Sequence, residues 1–246
     1  MKSNYENYIG KSKEERKITA EQGGSLEIKR FLLSSNPEIK ERLRALQEIF
    51  YRAQEKHPEI ISLNIFGSLT KGYAARESDI DAYLVIDIDK IINNGRVYEI
   101  FDYSDTPVPA INDPNFGETL KKLATIYYRS LIRVPLIVEQ GLKPDQLCNI
   151  AMRFLRKEDV QMWAETGYVE MLTPLFLLSL GKEIYVYRKI VLDALSDMGK
   201  QGEEIWKELM DEVITFENEG FNTALTNKRK KLYPRTLAEG RKYFLP

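Results

Sequence analysis

Gly67-Ser68, followed after a short segment by Asp79-Ile80-Asp81, is the part of this chain whose residue types and spacing can do chemistry. The aspartates open an apolar run, Ala82 to Ile86, that reads as a strand. Successive strand side chains point to opposite faces, so Asp79 and Asp81 share one face while Ile80 points to the other. Two carboxylates side by side repel, and the arrangement is costly unless a proton or a cation sits between them. Mg²⁺ or Mn²⁺ suits such a pair, because hard divalent cations take oxygen ligands and are commonly held by one or two carboxylates plus substrate phosphates. Gly67 and Ser68 close an earlier apolar run containing Ile61, Leu63 and Ile65. A glycine there allows close approach of the backbone to a ligand, and the turn's N–H groups with the Ser68 hydroxyl can receive phosphate oxygens.

Gly67, Ser68, Asp79 and Asp81 resemble the signature of the nucleotidyltransferase superfamily, which includes DNA polymerase beta, poly(A) and CCA-adding enzymes, and antibiotic nucleotidyltransferases. The similarity is concentrated in residues 55–90; elsewhere it is one of layout, a mixed domain followed by helices, as in the small bacterial and archaeal members. The resemblance implies transfer of a nucleoside monophosphate from an NTP to an acceptor hydroxyl, with two divalent metals held by three carboxylates. It also implies that the third carboxylate lies on a strand beside the Asp-x-Asp strand. Here the segment 147–155, expected to supply that strand, carries no acid. Glu99, Asp102 and Glu139 are the available substitutes, with Glu99 the first choice because it sits inside an apolar run. Lys71 and Arg76 lie between the Gly-Ser turn and the aspartates, where a cation could pair with triphosphate oxygens; an exposed helix face accounts for them equally well. Tyr185, Tyr187 and Arg188 resemble the aromatic and basic opening of the C-terminal helices in small family members, although core packing also explains the tyrosines.

The elements that must position these residues are legible from periodicity. Pro37-Glu38 starts a helix whose apolar residues Ile39, Leu43, Leu46, Ile49 and Phe50 share a face, and His57-Pro58 ends it. Strands are expected at 60–66 and 80–88, joined by the Gly-Ser turn and a short helix over 69–75. Residues 96–103 read as a further strand, 104–115 as a proline-containing loop, and 116–133 as a helix ending near Pro135. The segment 146–156 is open to a strand or a helix; the alternation of Ile150, Met152 and Phe154 and the helix expected after it, with acids in its first turn, favour the strand. A short strand or buried helix is expected at 175–180. From Lys182 onward the pattern is helical, with a break at Tyr233-Pro234 before a last helix.

Composition sets the outer bounds. The chain has 246 residues with 43% hydrophobic and 30% charged content, enough to bury a proper core. Its net charge of -1 gives no global footprint for long nucleic acid, although the run 227–231 is locally basic. One cysteine, Cys148, excludes an internal disulfide and reads as a core thiol in a reducing compartment. The single histidine, His57, excludes chemistry needing two. No export signal or membrane span is read, since the N-terminus is polar and the apolar stretch 171–180 is short and contains Pro174, so a cytoplasmic protein is expected. The resulting expectation is an α+β protein: a polar arm over 1–36, a nucleotidyltransferase-type mixed sheet flanked by helices over 37–181, and a C-terminal helical domain over 182–246. Catalysis is assigned to Asp79, Asp81 and Glu99, metal to Asp79 and Asp81, and nucleotide contacts to Gly67, Ser68, Lys71 and Arg76. The expected partners are an NTP and a small-molecule or protein acceptor, with the acceptor and the oligomeric state left open. The alternatives are a protein-modifying or toxin-antitoxin nucleotidyltransferase, or a non-catalytic nucleotide-binding module lacking the third carboxylate.

Overall fold

The apolar runs form the two central strands of a four-stranded mixed sheet, ordered β3-β2-β1-β4. In the computed structural model, which describes residues 37–71, 74, 78–147, 149–218, 227, 230–231 and 233–246, β1 spans Ile60–Phe66, β2 Asp81–Asp87, β3 Ile150–Leu155 and β4 Leu178–Leu180. β1 pairs antiparallel with both β2 and β4, while β2 and β3 are parallel. The expected arm 1–36, Cys148 and the Lys228-Arg229 part of the basic run lie outside the described residues.

Helices cover both sheet faces, so both faces are apolar and the strands read as nearly continuous hydrophobic runs. One face presents Leu63, Ile65, Leu84 and Ile86 to α1 (Pro37–Lys56), α4 (Arg96–Tyr103) and α5 (Phe116–Val138). α1 contributes Ile39, Leu46, Ile49 and Phe50, the stripe that its spacing predicts. The other face presents Ile61, Tyr83, Val85 and Leu155 to α6 (Lys157–Thr166), α8 (Ile184–Asp197) and α9 (Lys200–Asn218), with α10 (Leu237–Phe244) packed onto the same cluster. The short helices α2 (Ser68–Lys71), α3 (Ile88–Asn93) and α7 (Val169–Leu172) turn the chain between these elements. The fold is therefore α+β, a mixed sheet flanked by helices. No described helix is long and apolar enough to cross a membrane.

Two expectations are corrected. Residues 96–103, expected as a strand, form α4 because Val97, Ile100 and Phe101 are spaced three and four apart and bury one helical face, which outweighs the β-branched and aromatic content. The helix expected to stop near Pro135 continues to Val138. Pro135 removes one N–H from the ladder, yet the backbone N–H of Glu139 still reaches the Pro135 carbonyl at 2.8 Å and closes the end.

A polar chain runs through the interior between β1, β4 and α8. Arg188, buried, donates to the carbonyls of Leu175 and Leu177 and at 2.8 Å to Ser179 Oγ, which donates in turn to Asn64 Oδ1. Burial pulls the Arg188 guanidinium down to about 10, and the ring of Phe244 lies 5.2 Å from it. The buried Tyr187 hydroxyl donates to Asp87, whose other oxygen caps α3 by accepting from Asp89 and Lys90 backbone N–H groups. Tyr187 and Arg188 are thus spent on holding α8 to the sheet.

Candidate active site

Gly67 ends β1 in a left-handed conformation, φ +72°, that favours glycine. The antiparallel register places Phe66 opposite Asp81, so the turn folds against the start of β2, and a Cβ at position 67 would overlap the Asp81 carboxylate. The side chain missing at 67 is the space that Asp81 occupies. Ser68 follows, buried, and its Oγ has no hydrogen-bond partner among the described residues. An orphaned buried hydroxyl is uncommon, because leaving it unsatisfied costs about 1–3 kcal/mol, and it leaves a donor here for a ligand or water to use.

Asp79 and Asp81 stand at the same edge, both partly exposed. Ile80 between them is fully buried and belongs to the opposite cluster, so the two carboxylates share the outward side. The segment before β2 is anchored from two directions: the buried Arg42 of α1 donates to the Ser78 carbonyl, and the Ile80 N–H donates to the Gln146 carbonyl at 2.9 Å. Asn149, exposed at the start of β3, joins them. Its Nδ2 donates to Asp79 Oδ2 at 2.8 Å and to Asp81 Oδ1 at 2.9 Å. The parallel register, Ala82 opposite Ile150, puts Asn149 beside Asp81, and the Ala82 N–H donates to the Asn149 carbonyl at 3.1 Å.

Glu99 is not part of this group. On α4 it accepts from the Tyr127 hydroxyl and from Arg96 at 2.6 Å, and Arg96 also lies 3.6 Å from the buried Glu59. Burial pushes the Glu99 carboxyl up, and the Tyr127 and Arg96 hydrogen bonds outweigh it, holding the group below the usual carboxylate range. Glu59 precedes β1 and Gly67 follows it, so the strand separates the two ends by about 26 Å at ~3.3 Å per residue. The structure therefore does not bring Glu99 to the aspartates: α4, formed where a strand was expected, carries it to the opposite end of β1. Asp102 lies on the same helix, and Glu139 pairs with Arg52 at 2.6 Å. Among the described residues no three His, Cys, Asp or Glu side chains converge as a metal site. Lys71 closes α2, and Arg76 lies outside the described residues.

Asn149 is the residue that sequence reasoning missed. The signal available was its place, immediately before the alternation Ile150, Met152, Phe154, where the expected strand offers an amide and no acid. Arg153, on the same sheet face, stacks its guanidinium 5.0 Å from the Tyr83 ring centre. Tyr83, Phe66 and Phe216 form an aromatic cluster, with Phe66 and Tyr83 stacked at 5.1 Å, that joins the end of α9 to the strands bearing Gly67 and Asp81.

Compared with known proteins, the chain matches no family model, no curated protein and no solved structure.

Proposed function

We propose that the chain is a metal-dependent nucleotidyltransferase that moves a nucleoside monophosphate from an NTP to an acceptor hydroxyl at the edge formed by Gly67, Ser68, Asp79 and Asp81. The observation that carries this reading is a pair of carboxylates bridged by one amide, of which Asp81 fills the side-chain space of a glycine turn whose next residue is a buried hydroxyl with no partner among the described residues.

The donor set fits Mg²⁺ or Mn²⁺: two carboxylates supply oxygen ligands, with exposure that leaves room for water and phosphate. Asp79 and Asp81 would hold the cation, which when bound supplies neutralisation of the phosphates and of the charge that develops on the leaving pyrophosphate. Gly67 lets the phosphates approach the backbone, and Ser68 Oγ offers them a hydrogen bond. The acceptor oxygen bonds to the α phosphorus as the bond to pyrophosphate breaks. With Glu99 remote, the acids among the described residues at this edge able to take the acceptor's proton are Asp79 and Asp81, since a general base must lie within hydrogen-bond reach. Positioning and charge neutralisation supply most of the rate in such a reaction. The helices beyond residue 182 form, in this reading, the C-terminal part that walls one side of the cleft and meets the acceptor.

A second reading, a nucleotide-binding module without turnover, is favoured by one observation: an amide, Asn149, stands beside the aspartates where a third acid would add a base. Pyrophosphate release from Mg²⁺-NTP with a panel of small-molecule and protein acceptors separates the two. Sustained release by wild type, lost in Asp81→Asn, supports the transferase; metal-dependent NTP binding with no release from any acceptor supports the module.

A further inference from the structure

We propose that Asn149 is a two-state ligand of the aspartate pair: its amide nitrogen latches the carboxylates when no cation is present, and its amide oxygen joins them around a single divalent cation. The inference rests on the nucleotidyl-transfer reading only in taking the aspartate edge as a cation site.

The latch is visible in the geometry. One Nδ2 carries two hydrogens, and both are used, one on Asp79 Oδ2 at 2.8 Å and one on Asp81 Oδ1 at 2.9 Å. Two hydrogen bonds to carboxylates offset part of the like-charge repulsion that an empty pair would suffer. The same two N–H groups would face a cation placed between the carboxylates, an arrangement that is electrostatically unfavourable. Rotation of the amide about its last side-chain torsion exchanges nitrogen for oxygen at nearly constant shape. Oδ1 accepts no hydrogen bond from a described residue, and Asn149 is exposed, so among the described residues the two latch bonds are what a cation must replace for that rotation. The Asn149 backbone carbonyl is tied to the Ala82 N–H at 3.1 Å, which keeps the side chain beside Asp81 in both states. The unpartnered hydroxyl of Ser68, next to the glycine that abuts Asp81, is an independent sign that this edge takes a ligand.

Charge then decides stoichiometry. The described side chains here, two carboxylates and a neutral amide, carry two negative charges, which one divalent cation balances; a third carboxylate leaves a net negative charge that can recruit a second. Asn149 therefore sets both the cation number and the cation affinity of the site.

Mn²⁺ alone is the probe, titrated into the full chain and followed by the electron paramagnetic resonance signal of the free ion. Wild type is expected to bind one Mn²⁺. Asn149→Leu, which keeps the volume but removes latch and ligand together, is expected to weaken that binding about tenfold. Asn149→Asp is expected to tighten it about tenfold, to admit a second Mn²⁺, and to lower the melting temperature in chelator relative to wild type. Asn149→Leu binding Mn²⁺ as tightly as wild type, or more tightly, would show that the amide only blocks the cation, and would overturn the proposal. Asp81→Asn distinguishes the underlying reading: Mn²⁺ binding unchanged in that variant, or absent from wild type, removes the cation site itself and both proposals with it.

Discussion

Gly67 and Asp81 occupy one space between them, and this makes the turn the most sensitive single position at the site. Gly67→Ala adds a Cβ where the Asp81 carboxylate lies and forces an L side chain into the left-handed region, a strain of about 1–3 kcal/mol. The variant is expected to melt earlier and to lose metal-dependent NTP binding together, read by thermal melts and calorimetry; a variant that melts early but binds normally would show that the carboxylate can move aside without consequence. The aspartates predict the opposite split. Asp79→Asn or Asp81→Asn removes one of two like charges while leaving Ile80, which seats the segment, in place. Stability in the absence of metal is expected to hold or rise while transfer is abolished, and a labelled-NTP assay beside a melt reads both. Activity retained in both variants removes the catalytic assignment.

Elements meet away from the site in two polar or tight contacts that can be tested. At the start of β1, the fully buried Glu59 accepts from Tyr128 at 2.7 Å and lies 3.1 Å from His57 Nδ1, joining the end of α1 to α5. Burial pushes the Glu59 carboxyl up, but the hydrogen bonds from His57 and Tyr128 together outweigh it and hold it below its ordinary 4.5. A depressed folded-state carboxyl stabilises above its unfolded value and loses that contribution as pH falls through the folded value. The network's contribution is therefore complete at neutral pH and is lost below 4.5. Glu59→Gln is expected to melt earlier than wild type at neutral pH and to show a shallower loss of melting temperature between about pH 6 and about pH 3; parallel curves for the two proteins would remove Glu59 from the acid response. At the other face, a Cβ on Gly240 of α10 would run into the Trp206 ring of α9. Gly240→Ala is expected to cost about 1–3 kcal/mol by overpacking, measured by denaturant melts, and an unchanged midpoint would mean that α10 can slide off Trp206.

For the whole molecule, the consequence is linkage between ligand, metal and stability. A ligand that binds only the folded chain stabilises it by mass action, about 2.7 kcal/mol at a free concentration 100 times Kd. NTP with Mg²⁺ is expected to raise the melting temperature, while NTP in chelator leaves it nearly unchanged, because triphosphate and carboxylates repel without a cation between them. Equal shifts in the two conditions would remove the metal bridge. The sheet and its two helical layers give this linkage a path: Gly67 and Asp81 sit on the central strands, whose two faces are buried in the two apolar clusters. Ordering of the edge by Mg²⁺-NTP would therefore oppose opening of both layers.

Local chemistry is what the sequence determined by itself. The apolar runs of β1 and β2, the glycine turn between them and the pairing of Asp79 with Asp81 are properties of neighbouring residues, and period-two geometry places both carboxylates on one side without reference to the rest of the chain. The alternation Ile150, Met152, Phe154 likewise marked β3 as a strand, and the Asn227-to-Lys231 run and Arg76 were legible as charge alone. Tertiary structure decided the rest. Residues 96–103 are compatible with strand by composition and with helix by spacing, and burial of Val97, Ile100 and Phe101 against the first cluster selected the helix, carrying Glu99 away from the aspartates. Asn149 reached Asp81 across 68 residues of chain through a parallel strand pairing. A parallel register is set by which side chains two helical layers bury on each face, a long-range balance that no local pattern records, and it placed an amide beside the two carboxylates.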